Sequence, residues 1–347
     1  MSASSTPAPL AAPVAARGRL LRRLAGASVL RFIGRRLLAA IPVLWGVSFL
    51  TFIVMNALPG DAAQELLGSS ATPAEVHQLS VKLGLDKPFL TRYGDWLHDL
   101  ITGHLGHSLA SGQSVASILG SDLPVTLELI AYAFVISLVV AVPAAVLAAR
   151  RPGGVFDRVS LVLSMGGLSI ANYVLALLLV YVFAVKLGVL PAIGWVPPGQ
   201  GFGQNLRTLT LPALSIAIPL LCFYARLLRA DLVEQLQGEE YVMTARAKGA
   251  GPWRVLLRHA LRNAIFGLIT VVALNLGTLL GATVIIEDIF GLPGIGHELL
   301  DAISNRDVPV VEGAVVVFGV AVVLANLLAD LLYSALDPRV RYGGSAN

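Results

Sequence analysis

Six long stretches without a formal charge dominate this 347-residue sequence and limit the folds open to it. A helix rises about 1.5 Å per residue, so about 20 apolar residues are needed to cross a hydrocarbon core of about 30 Å. We therefore predict an all-α polytopic membrane protein with six transmembrane helices. We place the spans at about residues 37–59, 128–149, 159–185, 208–228, 263–286 and 311–334.

A further uncharged run, residues 187–206, is not counted as a span. It contains Pro191, Pro197, Pro198 and five glycines, which do not suit the unbroken helix that a lipid-exposed span requires. We predict a loop there. The composition agrees with a membrane protein, since only 13% of the residues are charged, against roughly 25% in soluble domains.

The basic residues indicate how the chain is oriented in the membrane. If the N-terminus is cytoplasmic, 19 of the 25 Lys and Arg residues fall in cytoplasmic segments. Positive charge accumulates on the inner side of membrane proteins, so we expect both termini in the cytoplasm. The net charge of +4 then reflects topology and needs no nucleic-acid partner.

The N-terminal region has a different composition from the rest of the chain. Residues 1–30 are rich in Ala, Pro, Ser and Arg, and no apolar core precedes Leu37, so they predict a cytoplasmic tail and not a cleaved signal peptide. We expect disorder over residues 1–18. Residues 20–36 fit either an amphipathic helix on the membrane surface or a solvated basic leader.

No catalytic or nucleotide-binding pattern is found in the sequence. A P-loop requires Gly-Lys-Ser/Thr, whereas the four lysines are followed by Leu, Pro, Leu and Gly. The single cysteine, Cys222, lies in an apolar run and permits no intrachain disulfide or cysteine cluster. We predict a protein that is not an enzyme and that holds no metal or cofactor.

Polar residues are rare at membrane depth. They are Glu128, Asn172, Asn275, Asn326 and Asp330. Interhelical hydrogen bonding and placement at helix ends are the usual roles of such residues, and contact with a substrate is the alternative. The sequence therefore does not identify the residues that line a substrate path.

The segment between spans four and five, residues 229–262, carries the clearest local pattern. Tyr241, Ala245 and Lys248 would share one face of a short helix, Gly249 would end it in the left-handed conformation, and Pro252 would begin a second helix. An apolar stripe follows in the second helix, formed by Trp253, Leu256, Leu257, Ala260, Leu261 and Ala264. The pattern predicts a helix-turn-helix whose bend is small enough to enter a partner's groove, or an amphipathic loop held by lipid headgroups.

The sequence YVMTARAKG at 241–249, followed by LRHALRNA at 257–264, resembles the EAA loop of ABC importer permeases. Met243 stands where that pattern has glutamate, Thr244 where it has its first alanine, and Arg262 where proline often falls. The peptide and nickel branch of the family resembles this chain in these departures.

The resemblance covers all but about the first 30 residues. Further segments similar to the "B"-type dipeptide and oligopeptide permeases are RFIGRRLL (31–38), IPVL (41–44), LPGD (58–61), LGLDKP (83–88), PGIG (293–296), RDVPVV (306–311) and LDPRVR (336–341). Each motif is short, but their order and their predicted sides of the membrane agree with the family.

The resemblance implies a type I permease domain over residues 31–347, with an external loop at 60–126 and a coupling loop at 229–262. It implies as partners a second homologous permease subunit, two ATP-binding subunits that carry ATP and Mg²⁺, an extracytoplasmic peptide-binding protein and membrane lipid. The ATPase-coupling residues would be Thr244, Ala245, Arg246, Ala247, Lys248, Gly249 and Ala250.

The implied function is import of dipeptides or short oligopeptides across the inner membrane. A nickel, metal-chelate or glutathione importer is the alternative within the family. A secondary transporter or channel acting without an ATPase is the alternative of another class, although it would need several ion-coupling groups near the midplane, where this sequence has almost none.

Overall fold

The computed structural model describes residues 14–57, 64, 67, 71–82, 84 and 86–336. The chain divides into two compact units, Met1–Trp45 and Gly46–Asn347. Within the described residues the backbone is helical or irregular, apart from an isolated antiparallel bridge between His107 and Ser114. The motifs at 58–61 and 337–341 and the tail residues 1–13 lie outside the described part.

The helices are numbered here in chain order. They are α1 (Val14–Ala57), α2 (Pro73–Lys82), α3 (Phe89–Ile101), α4 (Val115–Arg150), α5 (Val155–Ser169), α6 (Asn172–Lys186), α7 (Phe202–Gly238), α8 (Glu240–Ala247), α9 (Pro252–Phe290), α10 (Ile295–Ser304) and α11 (Val308–Leu336). Two of them contain π-helical stretches, Val180–Lys186 in α6 and Val255–Ala260 in α9.

Among the described residues, five helices are long and apolar enough to cross a membrane, and a sixth span results if α5 and α6 count as one. These five are α4, α7, α9 and the apolar parts of α1 and α11. The predicted all-α polytopic class is therefore confirmed. Most helices are longer than the predicted spans: α4 begins at Val115, and α9 begins at Pro252.

The structure corrects the prediction that span three is a single helix over residues 159–185. The structure breaks it into α5 and α6, which are bent by 103°. Ile170 and Ala171 have extended backbone angles at the break. Gly166 and Gly167 lower helix propensity just before it, and the Ser169 hydroxyl donates to the Met165 carbonyl at 2.8 Å, a bond that favours bending.

The core of the larger unit lies between α4 and α7, which make the most extensive helix pair. Alanines are buried along both helices, at positions 133, 141, 145, 148 and 149 of α4 and at 213, 217 and 225 of α7. Small side chains allow two backbones to approach closely, which is the usual basis of helix association in a membrane. Larger buried side chains, including Leu129 and Tyr224, fill the remaining space.

Residues 46–57 of α1 pack against α3 through aromatic rings. Phe52 and Tyr93 are both buried, with ring centroids 5.2 Å apart in an edge-to-face arrangement. Two hydrogen bonds join the same elements, between the hydroxyls of Ser48 and Tyr93 at 3.0 Å and from Arg92 to the Asn56 amide oxygen at 2.8 Å. Helix α3 is thereby anchored to the end of α1.

Contacts between the connections define two ends of the bundle: Arg150 stacks over Trp253 at one end, and the Gly194 N–H donates to the Phe290 carbonyl at the other. One end carries the connection 151–154 and the segment 239–251, and we call it the bend end. The opposite end carries the connections 102–114, 187–201 and 291–307. Residues 187–197 form the irregular connection that the sequence predicted, but α7 already begins at Phe202.

Candidate functional site

The segment 239–251 connects α7 to α9 and contains the short helix α8. Gly249 ends α8 with φ of +80°, and its N–H donates to the Arg246 carbonyl at 2.9 Å. The Ala250 N–H donates to the Ala245 carbonyl at 3.1 Å, which completes a Schellman motif. The sequence-based assignments of Gly249 as a left-handed cap and Pro252 as the first residue of the next helix agree with this geometry.

A small apolar cluster fixes this segment to the bundle. Val242, Ala245 and Val255 are buried together, and Leu236 of α7 packs against them. Two hydrogen bonds add to the attachment: the Tyr241 hydroxyl donates to the Gln235 side-chain oxygen at 2.5 Å, and Arg246 donates to the Leu236 carbonyl at 3.2 Å. The bend is therefore held to α7 and α9 by packing as well as by the chain connection.

The outer face of the segment is exposed, and its charged residues divide by position. Glu239 and Glu240 are exposed at its start, and the bend that follows is basic, with Met243, Thr244, Arg246, Ala247, Lys248 and Gly249 exposed. Of the candidate coupling residues, Ala245 is buried and Ala250 is half-buried, so the structure divides the predicted set into an anchored part and an accessible part. The prediction that Ala245 and Lys248 share one face of the helix is also corrected, because Ala245 packs inward whereas Lys248 is exposed.

The apolar stripe predicted for the second helix differs from the observed face. Leu256, Ala260 and Ala264 are buried as predicted, but Trp253 and Leu257 are 41% and 49% exposed. Val255, which the stripe omitted, is buried. The cause is the π-helical stretch Val255–Ala260, whose wider turn displaces the face expected from an α-helical period.

A cavity of about 250 Å³ opens beside the segment at the bend end. Its walls are Leu236 of α7, Ala250, Pro252, Val255 and Leu256, together with Arg150 and Arg246. The Arg150 guanidinium lies over the Trp253 ring, 4.6 Å from its centroid, so the end of α4 also reaches the start of α9. We call this space the two-arginine cavity.

A buried ion pair joins α5 and α7 at the same end. Arg229 donates to both carboxylate oxygens of Asp157, at 2.8 and 2.6 Å, and Gly153 N–H donates to the same carboxylate at 2.8 Å. Asp157 is 2% exposed. The bidentate geometry fixes the start of α5 against α7, and sequence reasoning missed it because the partners are distant along the chain.

At the opposite end a buried carboxylate organises the PGIG motif. The Gly296 N–H donates to Glu287 at 2.7 Å, and the Ile295 N–H donates to the Thr126 hydroxyl at 3.0 Å. A Cβ at Gly296 would lie 2.5 Å from the Val284 Cα, so only glycine fits. Helix α10 is thus attached to both α9 and α4.

A second cavity, of about 320 Å³, lies at this end and is strongly acidic. Four carboxylates line it, from Asp122, Glu298, Asp301 and Asp307. Asp307 accepts hydrogen bonds from the Ser108 hydroxyl at 2.5 Å and from two backbone N–H groups, those of Leu109 and Ala110. The carboxylate therefore fastens the connection 102–114 to the start of α11.

The polar residues inside the helices have local roles where their contacts are defined. The Asn275 amide of α9 donates to the Tyr224 hydroxyl of α7 at 3.3 Å, which is the interhelical use favoured by the sequence. Asn326 of α11 lies next to Gly277 of α9, where an added Cβ would stand 3.5 Å from its side-chain oxygen. Both residues are placed in helix packing.

Comparison with known families decides the identity of the bundle. The model of the family described as "Binding-protein-dependent transport system inner membrane component" matches residues 141–342, more than half of the chain. The model for the N-terminal part of such membrane components matches residues 29–130. The chain belongs to this family of permeases. It is a multi-pass inner-membrane component of a binding-protein-dependent transport system, and the segment 239–251 lies within the matched region.

Curated relatives extend the similarity over nearly the whole permease. The chain is 35% identical over 334 residues to the dipeptide transport system permease protein of Alkalihalophilus pseudofirmus, which covers 90% of this chain and 100% of the relative. It is 37% identical over 335 residues to the di/tripeptide transport system permease protein of Pseudomonas aeruginosa, covering 90% and 99%. The likeness therefore extends along essentially the full length of these permeases.

Proposed function

We propose that this permease imports dipeptides or short oligopeptides, driven by ATP hydrolysis on partner subunits that bind the segment 239–251. The observation that carries the proposal is the construction of this segment. It presents an exposed basic bend at Thr244–Gly249, while Val242, Ala245 and Val255 fasten the same bend to the helix ends. The names of the two relatives support peptides as the cargo.

The attachment of the bend gives the coupling a physical basis. A partner that pulls or rotates α8 must also move Leu236 of α7 and Val255 of α9, because these side chains share one packed cluster with Val242. Helices α7 and α4 then move together through their small-residue interface. Coupling between two distant sites requires such an element with two arrangements, and closure of the ATPase subunits supplies the bias between them.

The energy source is assigned to other chains. The sequence has no Gly-Lys-Ser/Thr motif, so ATP and Mg²⁺ belong to two ATP-binding subunits. A second homologous permease subunit completes the path, and an extracytoplasmic binding protein delivers peptide to the external segments around 60–126 and 287–308. The bend end faces the cytoplasm in this assignment, with residues 1–30 as a cytoplasmic tail and 31–347 as the membrane domain.

The first test is the composition of the purified complex. The tagged chain is extracted gently from native membranes, its stoichiometric companions are identified by mass spectrometry, and ATP hydrolysis and peptide uptake are assayed after reconstitution. Recovery of a second permease, one or two kinds of ATPase chain and peptide-dependent uptake supports the proposal. Recovery of the chain alone, without ATPase, contradicts it and points to a channel or secondary transporter.

A glycine pair tests the role of the bend itself. Gly249→Asp places charge and bulk at the exposed end of α8, and we expect uptake to be abolished. Gly188→Asp is the matched control, since Gly188 is exposed, has φ of +63° and has no heavy atom within 4 Å of an added Cβ. Normal uptake by a well-expressed Gly249→Asp complex would overturn the coupling assignment. Arg254→Ala, outside the bend, should have the smaller effect.

A further inference from the structure

The two-arginine cavity has an apolar floor and two cationic groups at its wall. Leu236, Val255 and Leu256 supply the apolar part, and Arg150 and Arg246 supply the charges. Both guanidinium groups are held in place by contacts other than ion pairs. Arg150 stacks over Trp253, and Arg246 donates to the Leu236 carbonyl.

Within the described residues, neither of these arginines makes a salt bridge. The bidentate pair of the bend end is made by Arg229 and Asp157 instead, so that buried carboxylate already has its cation. Stacking and a single carbonyl contact leave most of the N–H donors of a guanidinium available. The cavity therefore presents two positioned cations to whatever covers it.

Any group that enters the cavity must contact the segment 239–251, because this segment forms part of the cavity wall. Arg246, Ala250, Pro252, Val255 and Leu256 all belong to the segment or to the first residues after it. The described residues that line the cavity include two cations and no carboxylate, whereas Glu239 and Glu240 are exposed at the start of the segment. A macromolecule that covers the cavity has to bring an acidic group to that point to be electrostatically complementary.

We propose that the two-arginine cavity receives an acidic side chain of the ATP-binding subunit, flanked by apolar atoms that cover the cavity floor. This inference rests on the proposed function, since it names the contact by which the ATPase holds the bend. Arginine suits the role because its planar fork can bind a carboxylate through two parallel hydrogen bonds. The contact would join the ATPase to the end of α4, to the end of α7 and to the start of α9 at one point.

The test compares retention of the ATP-binding subunit in the purified complex as the salt concentration is raised. We expect Arg150→Gln/Arg246→Gln to release the ATPase at lower salt, with an affinity reduced roughly tenfold or more, because truncating one side of a desolvated charge pair is costly. Arg254→Gln/Arg258→Gln is the matched control. It removes two exposed arginines that do not line the cavity, and it should retain the ATPase to a higher salt concentration than Arg150→Gln/Arg246→Gln.

Two further variants separate the charges from the folding of the segment. Trp253→Leu removes the ring that positions Arg150 but keeps both cations, so it should weaken retention of the ATPase less than Arg150→Gln/Arg246→Gln does. Arg150→Lys/Arg246→Lys keeps the charges without the fork and should restore part of the retention. In each preparation, recovery of the second permease subunit shows that the bundle is intact.

The outcomes distinguish this inference from the proposed function. If the wild-type chain retains no ATPase, the proposed function fails and this contact fails with it. If the wild type retains the ATPase and Arg150→Gln/Arg246→Gln retains it equally at every salt concentration, only the contact is overturned. Loss of a bound anionic phospholipid from that variant in native mass spectrometry, with ATPase retention unchanged, overturns it in favour of a lipid.

Discussion

The carboxylate of Glu287, at the end of α9, accepts a hydrogen bond of 2.7 Å from the backbone N–H of Gly296, in the first turn of α10. Both groups are buried. The contact requires the two backbones to be close: a Cβ on Gly296 would lie 2.5 Å from the Val284 Cα and 2.8 Å from the Glu287 oxygen. Glycine at this position is thus a condition for packing α10 on α9.

We expect Gly296→Ala to destabilise the protein by about 1–3 kcal/mol, because overpacking against backbone atoms forces α10 away from α9. Thermal unfolding of the purified chain in detergent measures the change. Gly281→Ala on α9 is the control, since an added Cβ there meets no heavy atom within 4 Å. That variant should be neutral or slightly more stable, and equal behaviour of the two variants would contradict the packing argument.

The Asp157–Arg229 pair predicts an unequal response to removing one partner or both. Arg229→Ala leaves Asp157 without its cation, while the Gly153 N–H still donates to it and water can enter beside it, and we expect a loss of about 1–3 kcal/mol. Adding Asp157→Asn removes the stranded charge and should restore part of the stability. Arg226→Ala, an exposed arginine on the same helix, should change stability by less than about 0.5 kcal/mol. Additive losses in the double variant would show that the pair contributes no coupling.

Sequence reasoning located the features that depend on neighbouring residues. The number and approximate position of the spans follow from apolar length, and the turn at Gly249–Pro252 follows from the backbone preferences of glycine and proline. Assigning residues 244–250 as the candidate coupling residues also required the resemblance to the EAA loop. Its division into a buried Ala245 and an exposed Lys248 came only with the structure.

The features that sequence reasoning missed depend on contacts between distant residues or on irregular helix geometry. Asp157 and Arg229 are 72 positions apart, and nothing local to either indicates the other. The exposure of Trp253 and Leu257 follows from a π-helical stretch, which an α-helical period cannot reveal. The glycines before Ile170 were a usable signal for the break in span three, but their composition alone does not give a 103° bend.

Gly167 of α5 and Cys222 of α7 predict a compensating pair of substitutions. A Cβ on Gly167 would lie 2.5 Å from the Cys222 sulfur, so Gly167→Ala should destabilise the protein by about 1–3 kcal/mol. Adding Cys222→Ala removes the sulfur and should recover most of that loss. Gly166→Ala is the control, because its Cβ would meet no heavy atom within 4 Å. If Cys222→Ala deepens the loss in the Gly167→Ala background, the contact does not determine the spacing of α5 and α7.

Glu298 predicts a pH dependence of stability at the acidic cavity. Its pKa is raised above the ordinary glutamate value, first by burial and then by the negative charges of Asp122, Asp301 and Asp307, while His297 opposes the shift. The folded state therefore binds the proton more tightly than the unfolded state. The stabilisation is complete below the ordinary carboxyl pKa and is lost as the pH rises through the raised pKa.

Replacing Glu298 by Gln should therefore raise the melting temperature at neutral pH, and the gain should shrink as the solution is made acidic. Glu75 predicts a pH dependence of opposite sign, since its pKa is lowered first by the hydrogen bond from the Thr72 N–H and then by the one from the Thr72 hydroxyl. Glu75→Gln should loosen α2 at neutral pH, as measured by faster amide hydrogen exchange there, and the difference should disappear as the pH falls through the lowered pKa. A gain for Glu298→Gln that is the same at every pH would mean that the substitution acts through packing and not through the repelling carboxylates.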